Sequence, residues 1–189
     1  EVEIKIDPNN SEILMKGPFL MKGYYKLPDL TKKTIKDGWL HTGDQGVIDN
    51  DGYLYVTGRV KDLFKTTKGK YIEPLVLESH FTDISEFEQI CVVGLGLDQP
   101  ICLGVLSDIG KEKSKEEIKD FMSSHLEKTN SELPGYQKIS TFVVVKDAWT
   151  VENGLTTPTM KIKRNQIDKY YDSNYINWNN SQAKVLFES

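Results

Sequence analysis

Three short, uninterrupted apolar runs limit what this chain can fold into: residues 89–96 (QICVVGLG), 101–106 (ICLGVL) and the apolar part of 139–147 (ISTFVVVKD). Runs of this length bounded by polar residues read as buried strands, and each is far short of the ~20 apolar residues a membrane-spanning helix needs. A helix with a marked start lies between the second and third. Ser114-Lys115-Glu116-Glu117 is a capping box, and Ile118, Phe121, Met122 and Leu126 follow along one helical face. Pro74 opens a shorter helix over residues 74–81 (PLVLESHF), and residues 163–171 (KRNQIDKYY) read as a closing one. Residues 64–72 (FKTTKGKYI) fold back around Lys68-Gly69. This mixture predicts an α+β domain from about Asp62 onward, with a three-stranded sheet, a hairpin and flanking helices. The last stretch, 173–189, is Asn-rich and polar until Val185-Leu186-Phe187 and carries no clear period.

The residues before Asp62 read as mostly β. Residues 1–6 (EVEIKI) alternate charged and apolar, residues 7–11 (DPNNS) form a turn, and residues 12–17 (EILMKG) supply the hairpin partner. A short helix is predicted within residues 27–37, capped by Asp29 and stopped by Gly38. Asn50-Asp51-Gly52 lies between two strand-like runs and marks a hairpin, because Gly takes positive φ without penalty. That turn also accounts for Asp49 and Asp51 without calcium, since no Glu lies at the distance a calcium loop requires. The junction, residues 57–62 (TGRVKD), is charged and not a Gly/Ser linker.

Composition narrows the classes further. Lys and Arg number 24 against 28 Asp and Glu, for a net charge of −4, so no basic field speaks for nucleic-acid binding. With 38% hydrophobic and 10% aromatic residues in 189, the chain can bury a core and is not a disordered tail. Cys91 and Cys102 sit inside apolar runs, which reads as reduced core thiols and predicts a cytoplasmic location. His80 and His125 have no ligand partner at metal spacing, and Ser, His and Asp are too scattered for a triad. Trp39 and the Tyr24-Tyr25 pair are expected to pack between strands.

Three polar segments stand outside this scaffold. In residues 38–44 (GWLHTGD), Asp44 offers two acceptor oxygens suited to paired sugar hydroxyls, although a turn-capping Asp explains the same pattern. In residues 58–62 (GRVKD), Arg59 is a planar fork of donors for phosphate or ribose oxygens. Lys65 and Lys68 follow as mobile charges, with Gly69 allowing close backbone approach; a solvated edge strand is the simpler alternative. Residues 156–164 (TTPTMKIKR) place cations at a helix start, the unfavourable end of its dipole, which is reasonable if an anion visits; ordinary surface Lys and Arg compete with that reading.

Taken together, GWLHTGD, then GYLYVTGRVKDLFKTTKGKYIEP, then NGLTTPTMKIKR closely resemble the C-terminal part of the AMP-forming acyl-CoA synthetase superfamily, over nearly the whole chain. KTTKGKYIEP and TPTMKIKR look most like long-chain fatty-acid–CoA ligases. The resemblance implies the end of a large adenylate-binding domain over residues 1–60 and a C-terminal lid domain over 61–189, with a hinge at Lys61. It implies that Asp44 holds the ribose hydroxyls of ATP and the acyl-adenylate and that Arg59 supports the same ribose. Lys161 would be the catalytic lysine of the adenylation pose, with Lys163 a competing candidate, because Met160 stands where most of the family has Gly. Lys65 and Gly69 would face the CoA channel after the lid rotates. The substrates implied are fatty acid, ATP and CoA, with magnesium and its ligand in the full enzyme but outside this chain, and no nucleic acid. Peripheral membrane association of the full enzyme and its oligomeric state stay open. The phosphate loop and acyl tunnel belong upstream of Glu1 in the family, so the isolated chain is expected to be inactive. A fatty-acyl-AMP ligase serving a carrier protein, or a stand-alone lid-like interaction module, are the alternative readings.

Overall fold

The start of the chain folds as an antiparallel hairpin of β1 (Glu3–Ile6) and β2 (Glu12–Lys16), in which β1 alternates charged and apolar residues yet stays largely exposed, Ile4 at 39%. The computed structural model describes residues 2–188 and separates into two compact units, Glu1–Asp62 and Leu63–Ser189. In the first unit, α1 (Pro28–Thr34) leads into β3 (Ile35–Lys36), β4 (Trp39–Ile48) and β5 (Leu54–Arg59). The sheet runs β1-β2-β4-β3, with β5 also paired to β4, and Ile13 and Leu14 of β2 are buried in it. A 3-10 turn, Val60–Asp62, ends the unit.

Three expectations fail here. Asp29 does not cap α1: the cap position is Leu27, and Asp29 lies in the first turn, where its charge still suits the dipole. The helix also stops before Gly38. Thr34 and Ile35 are β-branched, and Asp37 (φ 51°) with Gly38 (φ 79°) forms a tight hairpin turn that pairs Ile35 with Leu40 and Lys36 with Trp39. Tyr24 and Tyr25 are 42% and 84% exposed, so they are not packed between strands. Trp39 does lie on the sheet, with Lys5 Nζ 4.0 Å from its ring centroid.

The second unit opens with the hairpin of β6 (Phe64–Lys65) and β7 (Tyr71–Ile72), followed by α2 (Pro74–Glu78) and a 3-10 turn, Ser79–Phe81. Then come β8 (Phe87–Val93), β9 (Ile101–Leu106), α3 (Asp108–Lys111), α4 (Lys115–Glu132), β10 (Phe142–Val145), α5 (Arg164–Asn180) and β11 (Val185–Phe187). The fold is α+β as expected, and its sheet has a fourth strand, in the order β11-β10-β9-β8. The strand β10 is parallel to both neighbours; β8 is antiparallel to β9.

Both faces of this sheet are covered, which is why its central strands β9 and β10 are apolar throughout instead of alternating. Ile118, Met122 and Leu126 of α4 pack with Val92, Cys102, Phe142 and Val144 on one face. Ile167, Tyr171 and Tyr175 of α5 pack with Trp149, Cys91, Leu103 and Val143 on the other. Each Ile, Leu, Val, Met or Phe side chain among these contributes about 1.5–3 kcal/mol on burial. Gly104 permits the close fit, because a Cβ there would lie 2.6 Å from the Phe142 ring. The capping box forms, with the Glu117 carboxylate accepting from the Ser114 amide at 2.8 Å. Phe121, three residues after Ile118, falls beside the buried stripe and is 38% exposed. No helix among the described residues is long and apolar enough to cross a membrane.

Candidate functional site

In the first unit, the register of the β4–β5 pair decides what Asp44 can meet. Ile48 faces Leu54, Val47 faces Tyr55 and Gly46 faces Val56, but a bulge follows, so that Gln45 faces Gly58 and Asp44 faces Arg59. Thr57 is the residue left over. Without that slip Asp44 would oppose a glycine; with it, Arg59 Nε lies 2.9 Å from Asp44 Oδ1. The two side chains are 35% and 62% exposed, so the pair adds about 0–1 kcal/mol to stability and is better understood as a presented donor–acceptor set. A cleft of about 410 Å³ opens beside it, lined by Glu12, His41, Thr42, Gly43, Arg59 and Lys61 among others. Lys61 itself is exposed, in the middle of the 3-10 turn.

Lys65 and Gly69 share the β6–β7 hairpin of the second unit. Gly69 has φ 77°, which a side chain would strain, and its amide donates to the Thr66 carbonyl at 2.9 Å. Lys65 Nζ is 5.4 Å from the Tyr71 ring centroid. The turn is tethered to the loop after β8: the Thr67 amide donates to the Leu97 carbonyl at 3.0 Å, and the Thr67 hydroxyl and Lys68 ammonium both reach Asp98. The Thr67 hydroxyl first, and Lys68 after it, hold the Asp98 carboxyl below the usual range. Lys68 is thereby engaged within the fold.

Lys161 is exposed on the loop before α5. Its amide donates to the Thr157 hydroxyl at 3.0 Å and its carbonyl accepts from the Thr157 amide at 2.8 Å, so a single threonine brackets it. Met160, just before it, has φ 60°, the conformation that favours Gly; this gives a physical reason for a glycine there in other sequences and locates the strain that Met brings. Lys163 is half-buried at the N-terminal boundary of α5, its amide bonded to the Leu155 carbonyl at 2.8 Å. The anion awaited at this helix start is, for Arg164, an internal one. Its guanidinium meets both oxygens of Glu78, at 2.7 and 3.0 Å, and the Val92 carbonyl at 2.6 Å.

The structure thus brings Asp44 and Arg59 together, brings Lys65 and Gly69 together, and sets Lys161 on a separate loop of the second unit. Two residues were not anticipated. Glu78 ends a short apolar helix and had no distinguishing pattern. Glu12 had one, since period two in β2 places it on the same strand face as Leu14. Cys91 and Cys102 are free and buried, and burial pushes the Cys102 thiol well above its ordinary value. Among the described residues, no group of three or more His, Cys, Asp or Glu could hold a metal ion.

The family described as AMP-binding enzyme C-terminal domain matches residues 61–177. The chain is 33% identical to long-chain-fatty-acid–CoA ligase 5 of Mus musculus, an alignment covering 96% of this chain and 28% of that protein. It is 32% identical to a chloroplastic long-chain-fatty-acid–[acyl-carrier-protein] ligase of Arabidopsis thaliana, over 88% of this chain and 26% of that one. The adenylation domain of a carboxylate reductase from Mycobacterium chelonae has the same fold, with a TM-score of 0.79 at 24% identity, over 94% of this chain and 30% of that one. The chain spans little more than a quarter of the length of the curated relatives it matches.

Proposed function

The chain belongs to the AMP-binding enzyme C-terminal domain family, and from that premise we propose that it forms the end of the large domain, the hinge and the lid of a long-chain fatty-acid–CoA ligase. The observation that carries the reading is similarity to such a ligase along 96% of the chain, through both units. In the proposed reaction, a fatty-acid carboxylate attacks the α-phosphorus of ATP, releasing pyrophosphate and leaving acyl-AMP. The thiol of CoA then attacks the acyl carbon, giving the thioester and AMP. Asp44 accepts from the ribose hydroxyls and Arg59 holds the Asp44 carboxylate toward them. Lys161 stabilises negative charge developing on the carboxylate and α-phosphate in the first step. Lys65 and Gly69 face CoA in the second. A cytoplasmic location belongs to the same reading, supported by two free buried thiols.

The test is fatty-acid-dependent ATP–pyrophosphate exchange by the full-length protein, followed by a comparison of acyl transfer to CoA and to a carrier phosphopantetheine. Exchange with long-chain acids and preferred transfer to CoA are expected; no exchange with any fatty acid would end the proposal. The second reading, a carrier-protein acceptor, is favoured by the 32% identity to the acyl-carrier-protein ligase and would appear as transfer to the carrier alone.

Lys61 is the proposed pivot between the two units. Lys61→Pro, which fixes φ near −65°, is expected to leave one half-reaction within a few-fold of normal and depress the other by about tenfold or more. Separate assays of acyl-AMP formation and of thioester formation check this. Survival of both half-reactions intact would rule the pivot out.

A further inference from the structure

We propose that Glu12 is the positioning residue that fixes the Asp44 carboxylate for ribose recognition, an inference that rests on the nucleotide-holding role proposed for Asp44. Glu12 is 8% exposed at the start of β2, a costly place for a carboxylate unless both oxygens are satisfied. Both are. Oε1 accepts from the Gly43 amide at 2.9 Å and Oε2 lies 2.9 Å from His41 Nδ1. These two partners flank Thr42, whose hydroxyl donates to the Ile13 carbonyl at 2.8 Å and accepts from the Asp44 amide at 3.1 Å.

All three residues ahead of Asp44 are therefore tied to two consecutive residues of β2, and Glu12 makes two of those ties. Its side chain spans 29 and 31 residues of sequence to do so, so the contact is not a local turn motif. The pairing of β2 with β4 also shifts register between Glu12 and Leu14, a bulge of the kind that re-aims side chains next to functional sites. Gly43, held by Glu12 on its amide, has φ 78° and turns the chain so that the next residue meets Arg59 at the mouth of the cleft. A carboxylate that must accept from two vicinal hydroxyls gains from being held still before the ligand arrives, because ordering it on binding would subtract from affinity.

Glu12→Gln has nearly the same shape but carries no charge, so neither tie is charge-assisted any longer, whichever ring nitrogen of His41 holds the proton. In the full-length ligase it is expected to raise the KM for ATP about tenfold, the loss typical of one charge-assisted hydrogen bond, with kcat retained. The KM for 2′,3′-dideoxy-ATP, which offers Asp44 nothing, should change less than about twofold under the same reasoning. In an Asp44→Ala background, Glu12→Gln should add no further loss of ATP over dideoxy-ATP preference. A purely structural Glu12 would impair both nucleotides alike; equal KM increases, or an additive effect with Asp44→Ala, would overturn the proposal. Should Glu12→Gln fail to fold, His41→Leu removes the partner of Oε2 and should show the same selective loss, about threefold. If Asp44→Ala alone leaves the preference for ATP intact, the nucleotide role of Asp44 is itself wrong, and the positioning role of Glu12 falls with it.

Discussion

Lys161→Ala in the full-length ligase is expected to slow acyl-adenylate formation by about 10²–10³-fold, the scale of losing one donor aimed at developing charge. Thioester formation from supplied acyl-AMP should stay within a few-fold of normal, because the lysine acts in the first pose only. The Thr157 bracket fixes the Lys161 backbone while its ammonium remains exposed, as a residue that reaches a mobile substrate requires. Lys163, half-buried with its backbone committed to the α5 boundary, is the comparison: Lys163→Ala should cost adenylation only a few-fold. Equal losses in the two half-reactions of Lys161→Ala, or a larger adenylation loss from Lys163→Ala, would reassign the role.

Arg164→Ala should destabilise the second unit by about 3–5 kcal/mol, which chemical denaturation can measure. The Arg164 and Glu78 side chains are 9% and 14% exposed, and removing the guanidinium would leave the Glu78 carboxylate buried with the Val92 amide, at 2.7 Å, as its remaining hydrogen-bond donor among the described residues. Arg164→Lys should recover little, since one ammonium cannot reproduce contacts to both carboxylate oxygens and the Val92 carbonyl. Replacing both partners with Met should cost less than either single change, because no buried charge is then stranded. A loss under 1 kcal/mol for Arg164→Ala would show that the pair is solvated in solution.

The α+β class was legible because the central strands of a sheet covered on both faces have no polar positions, and runs such as ICLGVL advertise that directly. The start of α4 was legible because the capping box is a local hydrogen-bond exchange. The end of α5 and the strand β11 were not. Tyr171, Tyr175 and Trp178 do fall on one helical stripe, but the Asn residues among them are poor helix formers, and it is packing against Trp149 and Leu186 that prevails. For the candidate site, Asp44 and Arg59 could each be singled out from sequence. Their pairing could not, because it depends on a one-residue bulge at Thr57 that no residue pattern announces. The anion partner of Arg164 was hidden for a similar reason: Glu78 is 86 residues away.

That separation also has a temporal side. A ribosome adding 5–20 residues per second completes Glu78 about 4–17 s before Arg164, an interval in which the acid has no guanidinium to close on. Since Lys161 precedes Arg164 by only three residues, the loop that carries it emerges together with the cation that locks α2, β8 and α5 to one another. During synthesis, the proposed catalytic lysine therefore arrives with the cation that joins the start of α5 to α2 and β8, ahead of the rest of α5 and of β11.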